Sequence, residues 1–254
     1  MNIWQEKVPL RFASIDSSDR LTLSAAFSFF QEAAISHAVV LGVGRDALAK
    51  TNQAWILSRF SIFFDSRPKY EETLTVRSWP RGPEKLFALR DYDIQNEAGD
   101  VFVRGRGAWL VIDVEKRRPL RIEQFMDKLP LNDGINAFNT IPPGLNTLPN
   151  LASAGIRAAA YSDVDYFGHV NNVRYVQWIL DVTPPDMLIK AAQMRLDINY
   201  LNEVLPGEKV ELFTAPIAPD LTGENYPVKP GPSFAYEGRR GGSVIFRAEL
   251  RLGD

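Results

Sequence analysis

The chain has 254 residues, of which 45% are hydrophobic and 24% charged, and its formal net charge is −2. A chain of this length can bury a substantial core in one large domain or in two of about 120 residues. It contains no cysteine, which excludes disulfides, thiolate metal sites and cysteine nucleophiles, and with two histidines we expect no dedicated metal site. The near-neutral charge gives no reason to expect nucleic acid as a partner.

The opening segment, "MNIWQEKVPLRFASID", lacks the apolar core of a signal peptide and the Ser/Arg-rich composition of a transit segment. No run of about 18 apolar residues occurs in the sequence. We therefore expect a cytoplasmic protein without a membrane span. Basic stretches at 77–85, 104–107 and 115–121 are interpreted as solvated strand ends, with contact to an acidic partner as the alternative.

The first half of the sequence predicts one helix followed by an antiparallel sheet. The helix begins near Thr22 or Ser24 and ends at Gly42, and its Ala-rich sequence is apolar on most sides, which is typical of a buried helix. His37 on this helix is interpreted as a packed residue. Strands are predicted for "WILSRFSIFFD", "ETLTVRSW", "LFALRDYDI" and "VFVRGRGAWLVIDV", with turn-forming residues between them that suit hairpins.

A stretch rich in Asn, Pro and Gly interrupts this pattern at 132–155 and is predicted to be a linker that lies across a surface. It divides the chain into a first domain, 1–131, and a second domain, 156–254. A second Pro/Gly-rich connection, 214–233, fits either a mobile lid or a disordered loop, and the pattern does not decide between them.

The order of elements repeats after the linker. A helix begins at the paired asparagines of "VNNVRYVQWILDV" and stops before Pro184, and alternating strands follow. The segments 61–76 and 197–212 align without a gap, which places Arg67 opposite Glu203. We infer a tandem duplication in which each half is a long helix wrapped by an antiparallel sheet.

The segment "DVDYFGHVNN" (163–172) lies where the second helix begins. Free backbone amides and a partial positive charge at a helix N-terminus favour an anion or a developing oxyanion. Gly168 has no Cβ, so a substrate carbonyl can approach the backbone, and His169 can donate a hydrogen bond with Asp165 as its orienting partner. This is chemistry for acyl transfer. The alternative is a well-capped helix with no catalytic role.

The string "GHVNNVRYVQWIL" resembles the hotdog-fold thioesterases, and in context it closely resembles the acyl-ACP thioesterases, whose second half carries a D-x-N-x-H-V-N-N segment. The resemblance covers nearly the whole chain. In the first half, "AAFSFFQEAAISHAVVLG", "WILSRFSIFFDSRP" and "GAWLVIDVEKRRPLRI" resemble the family's first helix, next strand and last strand. It implies an α+β fold, a tandem (double) hotdog in which two long helices are each wrapped by an antiparallel β-sheet.

Carried over by position, the resemblance implies Asp165, His169 and Glu203 as the catalytic residues. Val204 stands where the plant enzymes commonly have cysteine. Because this chain has no cysteine, the coherent mechanism is attack by water with Glu203 as the general base. The first half lacks the motif, so we expect one active site, with the first half retained for acyl binding.

The resemblance also implies residues that contact the substrate, and these are Phe167, Gly168, Val170, Asn171, Asn172 and Trp55. The amides around Gly168 to Val170 are expected to stabilise the oxyanion. Phe167 replaces the motif's asparagine, so either a neighbour takes its part or catalysis is weakened. Trp55 is expected to line the acyl pocket together with Phe29, Phe30 and Phe60, with core packing as the alternative for all four.

The resemblance implies hydrolysis of fatty acyl-ACP thioesters, which releases free fatty acid and acyl carrier protein without a metal or organic cofactor. Arg81, Lys85, Arg117 and Arg118 are candidates for contact with the acidic carrier and its phosphopantetheine. The alternatives are an acyl-CoA thioesterase and an inactive acyl-binding double hotdog. Acyl chain length, and whether two chains form a homodimer, stay open.

Overall fold

The computed structural model describes residues 2–132, 134–218 and 228–253. Residues 219–227, the middle of the predicted lid or loop at 214–233, lie outside these ranges, so neither expectation for it is tested. The helices are α1 (Leu23–Val40), α2 (Arg45–Ala49), α3 (Asn172–Asp181) and α4 (Pro185–Lys190). The strands are β1 (Trp4–Pro9), β2 (Gln53–Phe64), β3 (Thr73–Glu84), β4 (Phe87–Gln95), β5 (Val101–Asp113), β6 (Arg118–Pro119), β7 (Ala152–Ala158), β8 (Gln193–Tyr200), β9 (Lys209–Pro216), β10 (Ser233–Arg240) and β11 (Ser243–Gly253).

The strands form one antiparallel sheet in the order β1-β3-β4-β5-β2-β8-β11-β10-β9-β7, with β6 paired to β5. The first five strands of this order belong to the first half of the chain and the last five to the second half. Each half therefore contributes a continuous block of sheet beside its own helix. This is the predicted α+β tandem hotdog.

The two halves join where β2 pairs with β8. In this antiparallel pair Ser61 lies opposite Asp197, and the Ser61 hydroxyl donates a hydrogen bond to the Asp197 carboxylate. These two residues are also the first pair of the gap-free alignment of 61–76 with 197–212. An antiparallel pair in which equivalent residues face each other is related by a twofold axis, so the duplication appears in the structure as a pseudo-twofold junction.

Both helices begin at polar caps. The Thr22 hydroxyl accepts from the Ala25 amide at 3.2 Å, and the Asn171 side chain accepts from the Val173 amide at 2.9 Å. Helix α1 has 18 residues and α3 has 10. Helix α3 ends before Pro184, as predicted, and the chain then begins the separate short helix α4. Both long helices pack into one apolar core.

The linker lies on the face of the sheet opposite the helices. The Asp91 carboxylate accepts from the Ala137 amide at 2.9 Å, and the Asn199 side chain accepts from the Leu145 amide at 2.7 Å. Strand β7 begins at Ala152 and pairs with β9, so residues 152–155 belong to the second half's sheet rather than to the linker.

The interpretation of the basic stretches as solvated strand ends is wrong for Arg106. Its side chain is buried, donates twice to Asp91 at 2.6 Å and donates to the Thr140 carbonyl at 3.0 Å. Arg77 makes a similar pair with Asp93. These charges therefore attach the linker to the sheet and stabilise neighbouring strands.

Candidate active site

The segment before α3 is a tight loop closed by its own backbone. The amide of Asp165 donates to the His169 carbonyl at 3.0 Å, and the amide of Gly168 donates back to the Asp165 carbonyl at 3.0 Å. The Asp165 carboxylate accepts from the Phe167 amide at 2.8 Å. Gly168 has φ +84°, a left-handed conformation that favours glycine. The sequence thus forms a rigid turn that presents His169 at its end.

One backbone hydrogen bond brings His169 and Glu203 together. The amide of Val170 donates to the carbonyl of Val204 at 2.8 Å. Because His169 precedes one of these residues and Glu203 precedes the other, the two predicted catalytic groups stand on adjacent backbone although 34 residues separate them in sequence. Both side chains are accessible to solvent.

The backbone of Glu203 is held by Arg240. The guanidinium of Arg240 donates to the Glu203 carbonyl at 3.0 Å and forms an ion pair with Glu208. The Glu208 carboxylate also accepts from the Leu205 amide at 2.8 Å, and this hydrogen bond lowers its pKa. The turn that carries the candidate base is therefore fixed at both ends.

The side chain of Glu203 meets a residue from the first half. Arg117, in the turn between β5 and β6, donates to a Glu203 carboxylate oxygen at 2.9 Å. Both side chains are largely exposed, so the pair contributes little to stability. Its consequence is positional, because it brings one of the arginines predicted to contact the carrier directly to the predicted base.

The predicted orienting contact between Asp165 and His169 is long. The Asp165 Oδ1 and His169 Nδ1 atoms are 3.9 Å apart, which is beyond hydrogen-bond distance. The ring of Phe167 instead lies parallel to the imidazole, with 6.0 Å between centroids and 9° between planes. Tyr166 packs edge-on against Phe167, and the guanidinium of Arg45 lies 3.7 Å from the Tyr166 centroid. An aromatic row thus takes the place of the motif's amide side chain.

Two amides expected to stabilise an oxyanion are already engaged. Those of Gly168 and Val170 donate to Asp165 and Val204, as described above, so in this conformation neither is free for a substrate. Within residues 167–172, all of which the structure describes, the amides of His169 and Asn172 are the two without a protein acceptor. The amides of this segment that are available to a ligand are therefore those of His169 and Asn172.

The paired asparagines have structural partners. Asn171 caps α3, as the alternative interpretation of the motif expects, and its own amide donates to the Asp163 carbonyl at 2.9 Å. The Asn172 carbonyl accepts from the half-buried Tyr200 hydroxyl at 3.1 Å. Both residues therefore fix where the helix begins, which is what positions the free amide of Asn172.

The predicted pocket residues lie in the first half. The Trp55 indole donates to the Val43 carbonyl at 2.9 Å, and its ring lies 6.1 Å from that of Phe125 in an apolar cluster beside α2. Phe30 and Phe60 are fully buried in the main core. Contact of these side chains with substrate stays a prediction.

The first half contains the same loop with different side chains. The amide of Asp16 donates to the Arg20 carbonyl at 3.0 Å, the amide of Asp19 donates to the Asp16 carbonyl at 3.0 Å, and the Asp16 carboxylate accepts from the Ser18 amide at 2.9 Å. Asp19 has φ +63°, as Gly168 has +84°. Asp16 thus corresponds to Asp165, and Arg20 to His169.

The first-half counterpart of Glu203 is a buried arginine. Arg67 is 4% exposed, forms an ion pair with Asp16 and donates to the carbonyls of Leu21 and Leu188 at 3.1 and 3.2 Å. The sequence alignment placed Arg67 opposite Glu203, but it missed the loop. The two loops are separated by a different number of residues than the two strand segments, so one gap-free alignment cannot match both. Extending the comparison backwards from the helix caps would have found it.

Family models match both halves of the chain. Residues 1–128 match the acyl-ACP thioesterase N-terminal domain, and residues 156–238 match the acyl-ACP thioesterase C-terminal domain. The chain belongs to the acyl-ACP thioesterase family. Among curated members of this family, an acyl-[acyl-carrier-protein] hydrolase of Cuphea viscosissima is 22% identical over 88% of this chain and 57% of its own length. A palmitoyl-acyl carrier protein thioesterase of Cuphea hookeriana is 24% identical over 84% of this chain and 54% of its own length.

The chain thus spans about half the length of the curated acyl-ACP thioesterases that it matches. Solved structures agree in fold along the whole chain. An acyl-ACP thioesterase from Bacteroides thetaiotaomicron has a TM-score of 0.76 at 23% identity and covers 98% of this chain and 97% of its own. The 12:0-ACP thioesterase from Umbellularia californica has a TM-score of 0.79 at 19% identity and covers 99% and 98%. At these identities the likeness establishes the double hotdog fold.

The described residues contain neither a membrane-spanning helix nor a cluster of metal-ligating side chains. No helix among them is long and apolar enough to cross a membrane. In the same part of the chain, no group of three or more His, Asp or Glu side chains is arranged to hold a metal ion.

Proposed function

We propose that this chain hydrolyses acyl thioesters carried by acyl carrier protein. Its active site would be the second-half loop, residues 161–172, together with Glu203. The observation that carries the proposal is the Val170–Val204 hydrogen bond, which sets His169 beside Glu203 in a member of this family. In the first half the corresponding positions hold Arg20, in the loop, and Arg67, opposite it, and neither arginine can act as a general base at neutral pH. Only the second half keeps a chemistry suited to hydrolysis.

Glu203 would take a proton from water as the water attacks the thioester carbon. The carboxylate is accessible, and Arg117 holds one of its oxygens while leaving the other for water. The thiolate is a good leaving group and departs without prior protonation; it then takes up the proton held by Glu203, directly or through water, which restores the carboxylate. The products are the free fatty acid and the thiol of the carrier.

The oxyanion would form beside His169. Its backbone amide and that of Asn172 are free donors, and Asn172 is the first residue of α3, where the helix dipole favours negative charge. The imidazole can donate as well. Phe167, 56% exposed, lies parallel to the imidazole and would form an apolar wall beside the reacting carbonyl.

Acyl carrier protein is the carrier favoured by family membership. Arg117 lies at the predicted base and Arg118 follows it in β6, so an acidic partner that docks there would deliver its phosphopantetheine arm toward Glu203. Arg81, another arginine predicted to contact the carrier, donates a hydrogen bond to the side chain of Asn136. Acyl-CoA is the alternative carrier. The cytoplasmic location and a homodimer stay predictions.

The test is thiol release by the wild type from matched acyl-ACP and acyl-CoA panels of several chain lengths, alongside acyl-ACP binding. Turnover that favours acyl-ACP is the expected result. Turnover of acyl-CoA alone would replace the carrier assignment. Tight acyl-ACP binding without turnover by wild type, together with turnover by the Phe167→Asn variant, would identify an acyl-binding protein in which Phe167 prevents catalysis.

A further inference from the structure

Arg90 is a buried cation without a counter-charge. It lies on β4 inside the first half, is 9% exposed, and donates to the Ser78 hydroxyl at 2.9 Å. The same guanidinium nitrogen lies 3.1 Å from Nδ1 of His37 on α1, so the predicted packing of His37 is accompanied by a polar contact. In the described part of the chain, no carboxylate lies within ion-pair distance of Arg90.

Other buried arginines of the chain are paired. Arg67 has Asp16, and Arg106 has Asp91, with two hydrogen bonds at 2.6 Å in the second case. Burial lowers the pKa of Arg90, but a guanidinium stays protonated at neutral pH. An unpaired buried charge is costly, so an unpaired arginine in this fold calls for an explanation.

Buried hydrogen-bond donors without a well-aligned partner lie on Arg90's own strand β4 and on β1 and β5. The hydroxyl of Tyr92, 0% exposed, and the indole nitrogens of Trp4 and Trp109 make no well-aligned hydrogen bond among the described residues, although the Trp109 indole lies close enough to act on the Tyr92 phenol. Tyr92 and Arg90 lie on the same face of β4, and the charge of Arg90 acts on the Tyr92 phenol. Trp4 pairs with Ser78 across β1 and β3. Trp109 pairs with Ala88, which lies two residues before Arg90.

The chemistry of this cluster is one-sided. An indole N–H can only donate, a guanidinium can only donate, and the phenol has its proton free. The cluster therefore lacks an acceptor that also carries negative charge. We infer that Arg90, Tyr92 and the two tryptophans form a buried site for a carboxylate at the end of a hydrocarbon chain.

The surroundings specify the apolar part of this ligand. The Tyr92 ring lies 5.0 Å from that of Phe30 and 5.5 Å from that of Phe60, so the donors lie beside aromatic and aliphatic side chains of the core. The carboxylate can come from two sources, a free fatty acid or an acyl thioester with a carboxylate at its far end. The second source rests on the proposed function, whereas the first does not.

The first experiment measures dodecanoate binding by calorimetry. Wild type is compared with Arg90→Met, Arg90→Lys and Tyr92→Phe. Loss of the charge is expected to weaken binding at least about tenfold, and the lysine to restore part of it. Tyr92→Phe removes a hydroxyl without a partner, so it is expected to weaken binding while leaving thermal stability unchanged or raised.

A matched control is Tyr236→Phe in the second half. The Tyr236 hydroxyl is buried but lies 2.7 Å from the Thr183 hydroxyl, so its loss should lower stability without changing dodecanoate binding. Opposite behaviour of the two tyrosine variants is a result that a merely structural Tyr92 would not give.

The second experiment compares kcat/KM for a dodecanoyl thioester and for its analogue with a terminal carboxylate. If the site takes acyl ends, the analogue is preferred by wild type and the preference disappears in Arg90→Met. Dodecanoate binding that depends on Arg90 in a chain that hydrolyses neither thioester would support the site and overturn the proposed function. Hydrolysis with neither Arg90-dependent binding nor preference would leave the function standing and overturn the site.

Discussion

The loops at 12–23 and 161–172 share one backbone and differ in chemistry. Each makes the same turn around an aspartate, has a residue of positive φ three positions after that aspartate, and ends at the cap of a helix. In the second half the loop presents His169 beside Glu203, both accessible. In the first half Arg67 fills the corresponding place and pairs with Asp16. The comparison teaches that backbone geometry alone does not make this site, because the charge opposite the loop decides whether it can react.

Replacing the loop histidine is the largest expected difference between the halves. His169→Ala is expected to lower kcat for acyl-ACP hydrolysis by roughly 10²–10³-fold, the scale of losing an oxyanion donor. Arg20→Ala at the corresponding position is expected to leave kcat unchanged. Thiol release measures kcat, and cooperative unfolding shows that each variant is folded. Equal losses of kcat in the two variants would contradict a catalytic role confined to the second half.

Removing the arginine of the first half is expected to act on stability. Arg67→Met leaves Asp16 without its partner and is expected to lower the free energy of unfolding by about 3 kcal/mol, the lower end for breaking a buried pair. Hydrolysis per folded molecule is expected to be retained. Urea unfolding measures the loss, with the exposed Arg121→Met as the control; a loss no larger than that of the control would show that the pair is dispensable.

The Asp16 pair also predicts a dependence on pH. Burial acts to raise the pKa of Asp16, but hydrogen bonds from Ser18 and Arg67 outweigh it and hold the folded pKa below the unfolded value of 3.8. The stabilisation is thus present above that value and is lost as pH falls through the folded pKa. Unfolding measured at decreasing pH should show a steeper loss for wild type than for Asp16→Asn. Parallel curves would mean that Asp16 does not contribute.

The residues of positive φ give the smallest effect. Gly168→Ala is expected to cost about 1 kcal/mol, because a Cβ is strained in this conformation although no neighbouring atom obstructs it. Asp19→Gly relieves the same strain in the first half but adds freedom to the unfolded chain, so its effect should stay within about 0.5 kcal/mol. Thermal unfolding compares the stability of the two variants. A larger loss of stability in Asp19→Gly than in Gly168→Ala would contradict the expected strain at these positive-φ positions.

The sequence predicts the two long helices because their apolar residues and polar caps are local signals. Strand β10 was not predicted, because "SFAYEGRR" carries Gly and charges within a short stretch and becomes a strand through pairing with β9 and β11. Strands β1 and β7 were missed for a similar reason, since each lies at an edge of the sheet and alternates weakly.

The candidate site was predicted where a short motif carries it and missed where distant chain meets it. The motif indicated Asp165 and His169, and Glu203 followed from its position relative to them. The sequence could not indicate that the carbonyl of Val204 engages the Val170 amide, because that contact depends on how two loops pack. The approach of Arg117 to Glu203 likewise depends on a turn of the first half crossing to the second.

The most direct test of the central claim is hydrolysis of dodecanoyl-ACP by Glu203→Gln. The substitution keeps size and polarity but removes the base, so kcat is expected to fall by roughly 10²–10⁴-fold with cooperative unfolding retained. Glu211→Gln, an exposed glutamate on β9, is the control and should match wild type. A Glu203→Gln enzyme whose kcat is indistinguishable from wild type would contradict the assignment of the second-half loop as the active site.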